Sequence, residues 1–171
     1  AAIVVSGAET ASAEANYFDT VLGTGTAAFS GDGGPGKRAA LNAPAGMTRL
    51  PDGSILIADA SNHRIRRLAT DGTVSTVAGT GTASTTGDGG AATAATVNTP
   101  WDVEVQPGGG GAYYISENGG HVVRRVSSTG TITTVVGTGA ACTPAGSACG
   151  NYGAAGSAQL NAPRGLSVAS N

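Results

Sequence analysis

The chain repeats itself at a fixed spacing, and this decides what it can fold into. The segment TVLGTGT at 20–26 returns as TVAGTGT at 76–82 and as TVVGTGA at 134–140. LNAP at 41–44 returns as VNTP at 97–100 and as LNAP at 160–163. HRIRRL at 63–68 returns as HVVRRV at 121–126. The offsets are 56 or 58 residues, and the last connection is longer by five, an excess filled by the stretch Cys142–Cys149. Such a period marks units that bury their apolar faces against one another rather than alone.

Within one period, short apolar runs alternate with turn signals. Gly46–Leu50 precedes Pro51-Asp52-Gly53, and Ser54–Ala58 is rich in Ile and Leu. His63–Leu68 leads to Thr70-Asp71-Gly72, a hairpin signal, and Thr73–Ala78 runs into Gly79. The next period repeats the four runs at Trp101–Val105, Ala112–Ser116, His121–Val126 and Thr131–Val136. No segment holds an apolar period of 3.6 over ten or more residues. Four short antiparallel strands per repeat describe a propeller blade, so the expected fold is all-β. The abundant small residues suit narrow inner strands, and Gly accounts for 29 of the 171 residues.

One repeat carries a family resemblance. Ser54-Ile55-Leu56-Ile57-Ala58-Asp59-Ala60-Ser61-Asn62-His63-Arg64-Ile65-Arg66 resembles the NHL repeat signature, and the GTGT, GDGG and LNAP elements before it resemble the long-loop form of that repeat. The resemblance runs from Val21 to about Ala169. It is weaker in the second repeat, where Glu117 replaces Asp59 and Gly120 replaces Asn62. It implies β-propellers, commonly six-bladed, with roles from protein and RNA binding to extracellular scaffolding and a few lyases; the fold alone does not choose among them.

Counting strands gives residues 1–22 as N-terminal strands of a partial blade and 23–171 as NHL-type repeats. Two full blades are expected at about 45–78 and 101–136. Asn16–Leu22 reads as the outer strand of an earlier blade, with Ala2–Val5 before it, and Gly165–Val168 as the inner strand of a following one. About three blades' worth of strands cannot close a ring. The expectation is therefore an incomplete or oligomer-completed propeller: a piece of a longer chain, a ring closed by two copies, or a head-to-tail filament.

The bulk numbers narrow the function. Net charge is −2 and there are seven aromatic residues, which disfavours nucleic acid as a partner. No apolar run approaches the ~20 residues of a membrane span. Ala1–Val5 is too short for a signal-peptide core, and the absence of an initial Met leads us to expect a mature or trimmed product. Cys142 and Cys149 flank a Pro-Ala-Gly turn, so a local disulfide and an oxidising compartment are expected, with two free thiols as the alternative. No Asn-x-Ser/Thr sequon is present, because Asn98-Thr99 is followed by Pro100.

Several constellations invite a sharper reading. Gly31-Asp32-Gly33-Gly34-Pro35-Gly36-Lys37 nearly spells a phosphate-binding loop, but Arg38 stands where Ser or Thr is needed and the copy at 87–92 has no Lys. A glycine-built connection between blades is the expectation. Asp32 and Asp88 occupy equal loop positions, with Asn151 in the third copy. They are candidate Ca²⁺ ligands, but that ion wants six to eight oxygens, and an Asp capping its own turn is the plainer role. His63 and His121 recur at one place in successive repeats, which argues for a structural hydrogen bond rather than a ligand set. Arg66, Arg67, Arg124 and Arg125 are expected to pair across hairpins with acids such as Asp59 and Glu117. Arg49 breaks its pattern, standing where Val105 and Val168 stand in the other copies. Trp101 stands in the same way opposite Ala45 and Arg164, so both are candidate interface residues.

These observations predict an extracellular or cell-surface scaffold without catalytic residue, cofactor or resident metal. Its partners would be further copies of itself or another extracellular protein, with carbohydrate as a further option. A propeller lyase or hydrolase with its site at the channel mouth is the alternative, and a nucleic-acid-binding module is the third.

Overall fold

The computed structural model describes residues 3–4, 19–143, 149–150 and 153–170. Asn151 lies outside them, as do Ala2, Val5 and Asn16–Phe18 of the two expected N-terminal strands. What is described there is an antiparallel pair, β1 (Ile3–Val4) with β2 (Thr20–Leu22).

Two four-stranded antiparallel sheets follow. The first is β3 (Pro44–Arg49), β4 (Ile55–Asp59), β5 (Arg64–Leu68) and β6 (Val74–Ala78), side by side in chain order. The second is β7 (Pro100–Val105), β8 (Tyr113–Glu117), β9 (Val122–Val126) and β10 (Ile132–Val136), again in chain order. Only three short 3₁₀ turns accompany them among the described residues, at Gly36–Arg38, Ala60–Asn62 and Ala155–Ser157. Each expected strand of the two blades forms, with ends one or two residues from the sequence-based ones. Both inner strands begin at a proline, which tolerates the first position of a strand because no ladder donor is needed there.

Alternation along the strands divides each blade into two faces. Ile57 of β4 packs with Leu22, Leu41, Leu68 and Val74, toward the N-terminal pair. Its neighbours Leu56 and Ala58, with Ile65 and Ala78, pack instead with Val103, Tyr113, Ile115, Val126 and Ile132 of the second blade. The first blade is thus sandwiched, and burying each such Leu or Ile contributes on the order of 1.5–3 kcal/mol. The stacked-blade expectation is met: the chain is all-β, built of propeller-type blades.

One expected strand has no ladder partner among the described residues, at Gly165–Val168. It is held by isolated bonds: Ser116 Oγ donates to the Arg164 carbonyl at 2.5 Å, and the Leu166 amide donates to Asp102 Oδ2 at 2.8 Å. A strand requires a neighbouring backbone, and this segment meets side chains instead. Cys142 and Cys149 form a disulfide with their Cα atoms 5.7 Å apart.

Candidate functional site

Each blade hides one arginine completely. Arg66 and Arg124 lie on β5 and β9, on the face that receives the long loop arriving from the preceding strand. The Arg66 guanidinium donates to Asp59 Oδ2 at 3.3 Å, the Ser30 carbonyl at 3.0 Å and Asp32 Oδ1 at 2.8 Å. Arg124 repeats the pattern with Glu117 Oε1 at 3.2 Å, the Thr86 carbonyl at 3.2 Å and Asp88 Oδ1 at 2.6 Å. The acids at the ends of β4 and β8 are also fully buried, and burial pushes both carboxyls above their ordinary range, against the opposing hydrogen bonds and the guanidinium. Asp88 is held below the usual range: burial acts to raise it, but hydrogen bonds from Thr134 and Arg124 prevail.

These clamps explain the GDGG element. Asp32 and Asp88 do not cap their own turns; they reach out of the loop to a guanidinium, and Asp32 also accepts from Thr76 Oγ1 at 2.7 Å. The preceding glycines permit the approach. A Cβ on Gly87 would stand 2.8 Å from Ala95 Cα, and one on Gly31 would stand 2.5 Å from Ala39 Cα. The likeness to a phosphate loop dissolves: Lys37 pairs with Asp19 at 2.5 Å, and the three-residue turn Gly36–Arg38 opens no α-helix. Among the described residues no three His, Cys, Asp or Glu side chains converge as a metal-holding group.

The histidines join blades. Thr99, immediately before β7, donates its amide to His63 Nδ1 at 3.1 Å, and Ala162 donates likewise to His121 Nδ1 at 3.0 Å. Both partners of each bond sit in the left-handed region, His63 at φ 54° with Thr99 at 48°, and His121 at 55° with Ala162 at 49°. That backbone costs roughly 1–2 kcal/mol per residue, which the joint must offset. Burial, then the neighbouring Arg64 charge, holds His63 below the ordinary imidazole range.

The outer arginines find other partners than expected. Arg67 pairs with Asp52 at 2.5 Å, and Arg125 donates to Gln106 Oε1 at 2.8 Å. Arg49 and Trp101 lie on the inner strands and are exposed, near neither clamp; Met47 on β3 is exposed beside Arg49. The Arg164 guanidinium stacks 4.6 Å from the centroid of the Trp101 ring.

A difference between the blades escaped the sequence reading. Phe29 is covered by two guanidinia, Arg64 at 3.7 Å and Arg66 at 4.8 Å from its centroid. Arg64 is in turn held by the carbonyls of Asn62 at 2.9 Å and Thr80 at 2.6 Å. In the second repeat Thr85, Gly120 and Val122 stand in place of Phe29, Asn62 and Arg64. A cavity of about 700 Å³ opens there, lined by Thr85, Asp88, Asn98, Val122, Thr138 and Gly139 among others. The signal lies in three substitutions within one repeat, and the weakened family signature points only to the one from Asn62 to Gly120.

The NHL repeat family model matches residues 41–68, covering β3 to β5. No curated protein matches the sequence. Among solved structures, a Bacteroides thetaiotaomicron protein named for a suggested phosphatase activity is 22% identical, with a TM-score of 0.53 over 70% of this chain and 28% of its own. A structural genomics protein of unknown function from the same organism is 22% identical, with a TM-score of 0.51 over 66% of this chain and 26% of its own. Virginiamycin B lyase from Staphylococcus aureus is 20% identical at a TM-score of 0.40 over 61% and 28%, too loose a likeness to carry an argument. The chain therefore spans about a quarter of the length of the solved structures it matches, and the first two likenesses are of fold alone. The Cys142–Cys149 disulfide is compatible with an oxidising location, and among the described residues no helix is long and apolar enough to cross a membrane. Residues 41–68 carry an NHL repeat, and the second four-stranded unit is built on the same clamp and the same joint, so the chain is all-β with blades of the β-propeller type.

Proposed function

We propose that the chain is an extracellular binding scaffold whose blades stack onto further blades, supplied by other copies or by another protein. The observation that carries this reading is an asymmetry between equivalent faces. Leu56 and Ile65 of the first blade are fully buried against the second. Their counterparts Tyr114 and Val123 lie on the opposite face from Tyr113 and Ile115, and are only half-buried. Covering such side chains contributes on the order of 1–3 kcal/mol each, so another blade is the favoured occupant. The Cys142–Cys149 disulfide supports an oxidising location.

Light scattering on the isolated chain tests the stacking. The expected result is a mass that is a multiple of 16.4 kDa and falls toward a single chain in Val123→Asp. A mass of 16.4 kDa at all concentrations, unchanged by that substitution, removes self-addition.

A further inference from the structure

The first repeat shows what the hollow in the second is shaped to hold. In the first, an arginine side chain lies across the loop: Arg64 Nη1 donates to the Asn62 carbonyl and Nη2 to the Thr80 carbonyl, while Phe29 covers the guanidinium plane. The guanidinium fills the space over Gly81 so closely that a Cβ on that glycine would overlap Arg64 Nη1. In the second repeat the equivalent Gly139 faces open space, with only the Gly120 carbonyl oxygen at 3.8 Å.

The walls of that space are otherwise kept. Gly120 and Thr138 carry the carbonyls equivalent to those of Asn62 and Thr80. Neither accepts a hydrogen bond from any described residue. Asp88 adds a half-exposed carboxylate to the lining, and the one cation near it, Arg124, is fully buried and paired. Thr85, Asn98 and Thr138 add polar groups where Phe29 and Arg64 fill the first repeat. A cavity of acceptors, with a carboxylate and no free cation among its described lining, selects for a donor-only cationic group. A planar guanidinium suits two converging carbonyls better than an ammonium, because its N–H groups form a fixed fork.

We propose that the cavity between β9 and the loops at 83–88 and 137–139 is a receptor for an arginine side chain of a polypeptide partner, bound as Arg64 is bound within the first repeat. This deepens the reading of the chain as a binding scaffold but does not depend on blades adding to one another, so a chain that stays single can still show it. Val122 supplies the apolar floor for the methylene stem.

The test uses acetyl-Gly-Arg-Gly-amide titrated into the isotopically labelled chain, followed by amide NMR. Saturable shifts are expected at Gly120, Thr138 and Gly139, with the lysine peptide binding several-fold more weakly and the citrulline peptide about tenfold or more, the loss of a charge-assisted hydrogen bond. Val122→Arg combined with Thr85→Phe installs the first repeat's own filling and should abolish those shifts. The reciprocal variant, Arg64→Ala with Phe29→Ala, should create a second site with shifts at Thr80 and Gly81, and it keeps the proposal open to refutation if the filled variant does not fold. Equal binding of the citrulline peptide, or no shift at Gly139 in the parent chain, overturns the proposal; binding of a neutral sugar but not of the arginine peptide overturns it in favour of a polyol site.

Discussion

The two blades hold the same buried guanidinium with different residues. In the first, Asp59 accepts from the Asn42 amide at 2.8 Å, from Asn62 Nδ2 at 2.8 Å and from Arg66. In the second, Glu117 accepts from the Asn98 amide at 2.9 Å, from Thr85 Oγ1 at 2.6 Å and from Arg124. The extra methylene of glutamate carries its carboxylate toward the loop, so a loop hydroxyl takes over from the Asn62 amide. The same shift forbids a side chain at position 120, where a Cβ would stand 2.8 Å from Glu117 Oε2 and collide with Thr85 Oγ1. Asp to Glu, Asn to Gly and Phe to Thr are thus one coupled change. What looks in the sequence like erosion of the second repeat is a second solution to the same burial problem, and its by-product is the cavity.

The sharpest way to break this comparison is to remove the guanidinium from either blade. Arg66→Ala and Arg124→Ala each strand a fully buried carboxylate, and removing one partner of a buried pair costs about 3–5 kcal/mol. If the clamps are equivalent, the two thermal melts should fall by similar amounts; a drop in only one blade's variant would show that the other acid is satisfied without its arginine. A smaller effect is expected from Glu117→Asp, which withdraws the acceptor from Thr85 and leaves buried donors unpaired at about 1–3 kcal/mol. Adding Gly120→Asn and Thr85→Phe to it should recover most of that loss, whereas Gly120→Asn alone should be worse than the parent. Urea unfolding of the four proteins separates a coupled swap from three independent substitutions.

Tyr113 offers a subtler comparison, since its counterpart in the first blade, Ile55, carries no hydroxyl. Its hydroxyl is buried without a hydrogen-bond partner among the described residues, and burial raises its pKa. Tyr113→Phe should therefore be neutral or stabilising by up to about 1 kcal/mol in the same unfolding measurement, because the desolvated hydroxyl is removed while the ring remains.

Much of this was legible in the residues. The repeat pointed to blades of four short antiparallel strands, and two such sheets form; which side chains meet between them was not readable, because Ile55–Ala58 is apolar on both faces. The recurrence of His63 and His121 pointed to a structural bond, although its partner, an amide of the next blade, was not readable from spacing. Asp32 and Asp88 read as turn caps from their loops alone, because the arginines that claim them lie 34 and 36 residues later. The segment at 165–168 shows the opposite limit: local sequence describes a strand's composition, not the neighbour it needs, and none pairs with it among the described residues. The cavity required comparing Phe29 with Arg64, two positions that no local pattern links.

The smallest effect expected concerns the joint between blades, and pH sharpens it. His63 accepts from the Thr99 amide through Nδ1, so the joint needs the neutral ring. Burial and the adjacent Arg64 charge both disfavour its protonation in the folded chain. The unfolded chain then takes up the proton first, and stability rises with pH across the window. The contribution is complete above about pH 6.5, the ordinary imidazole value, and is lost as pH falls from there through the lower folded value. One neutral hydrogen bond on a partly exposed ring limits the change to about 1 kcal/mol or less. Urea midpoints between pH 7.5 and 5 should decline in the parent and flatten in His63→Ala. Arg64→Ala removes the like charge and should shrink the decline without abolishing it, because desolvation, the larger cause, remains. A parent profile no steeper than that of His63→Ala would separate the imidazole from the joint and leave the left-handed pair at 63 and 99 to be held by packing alone.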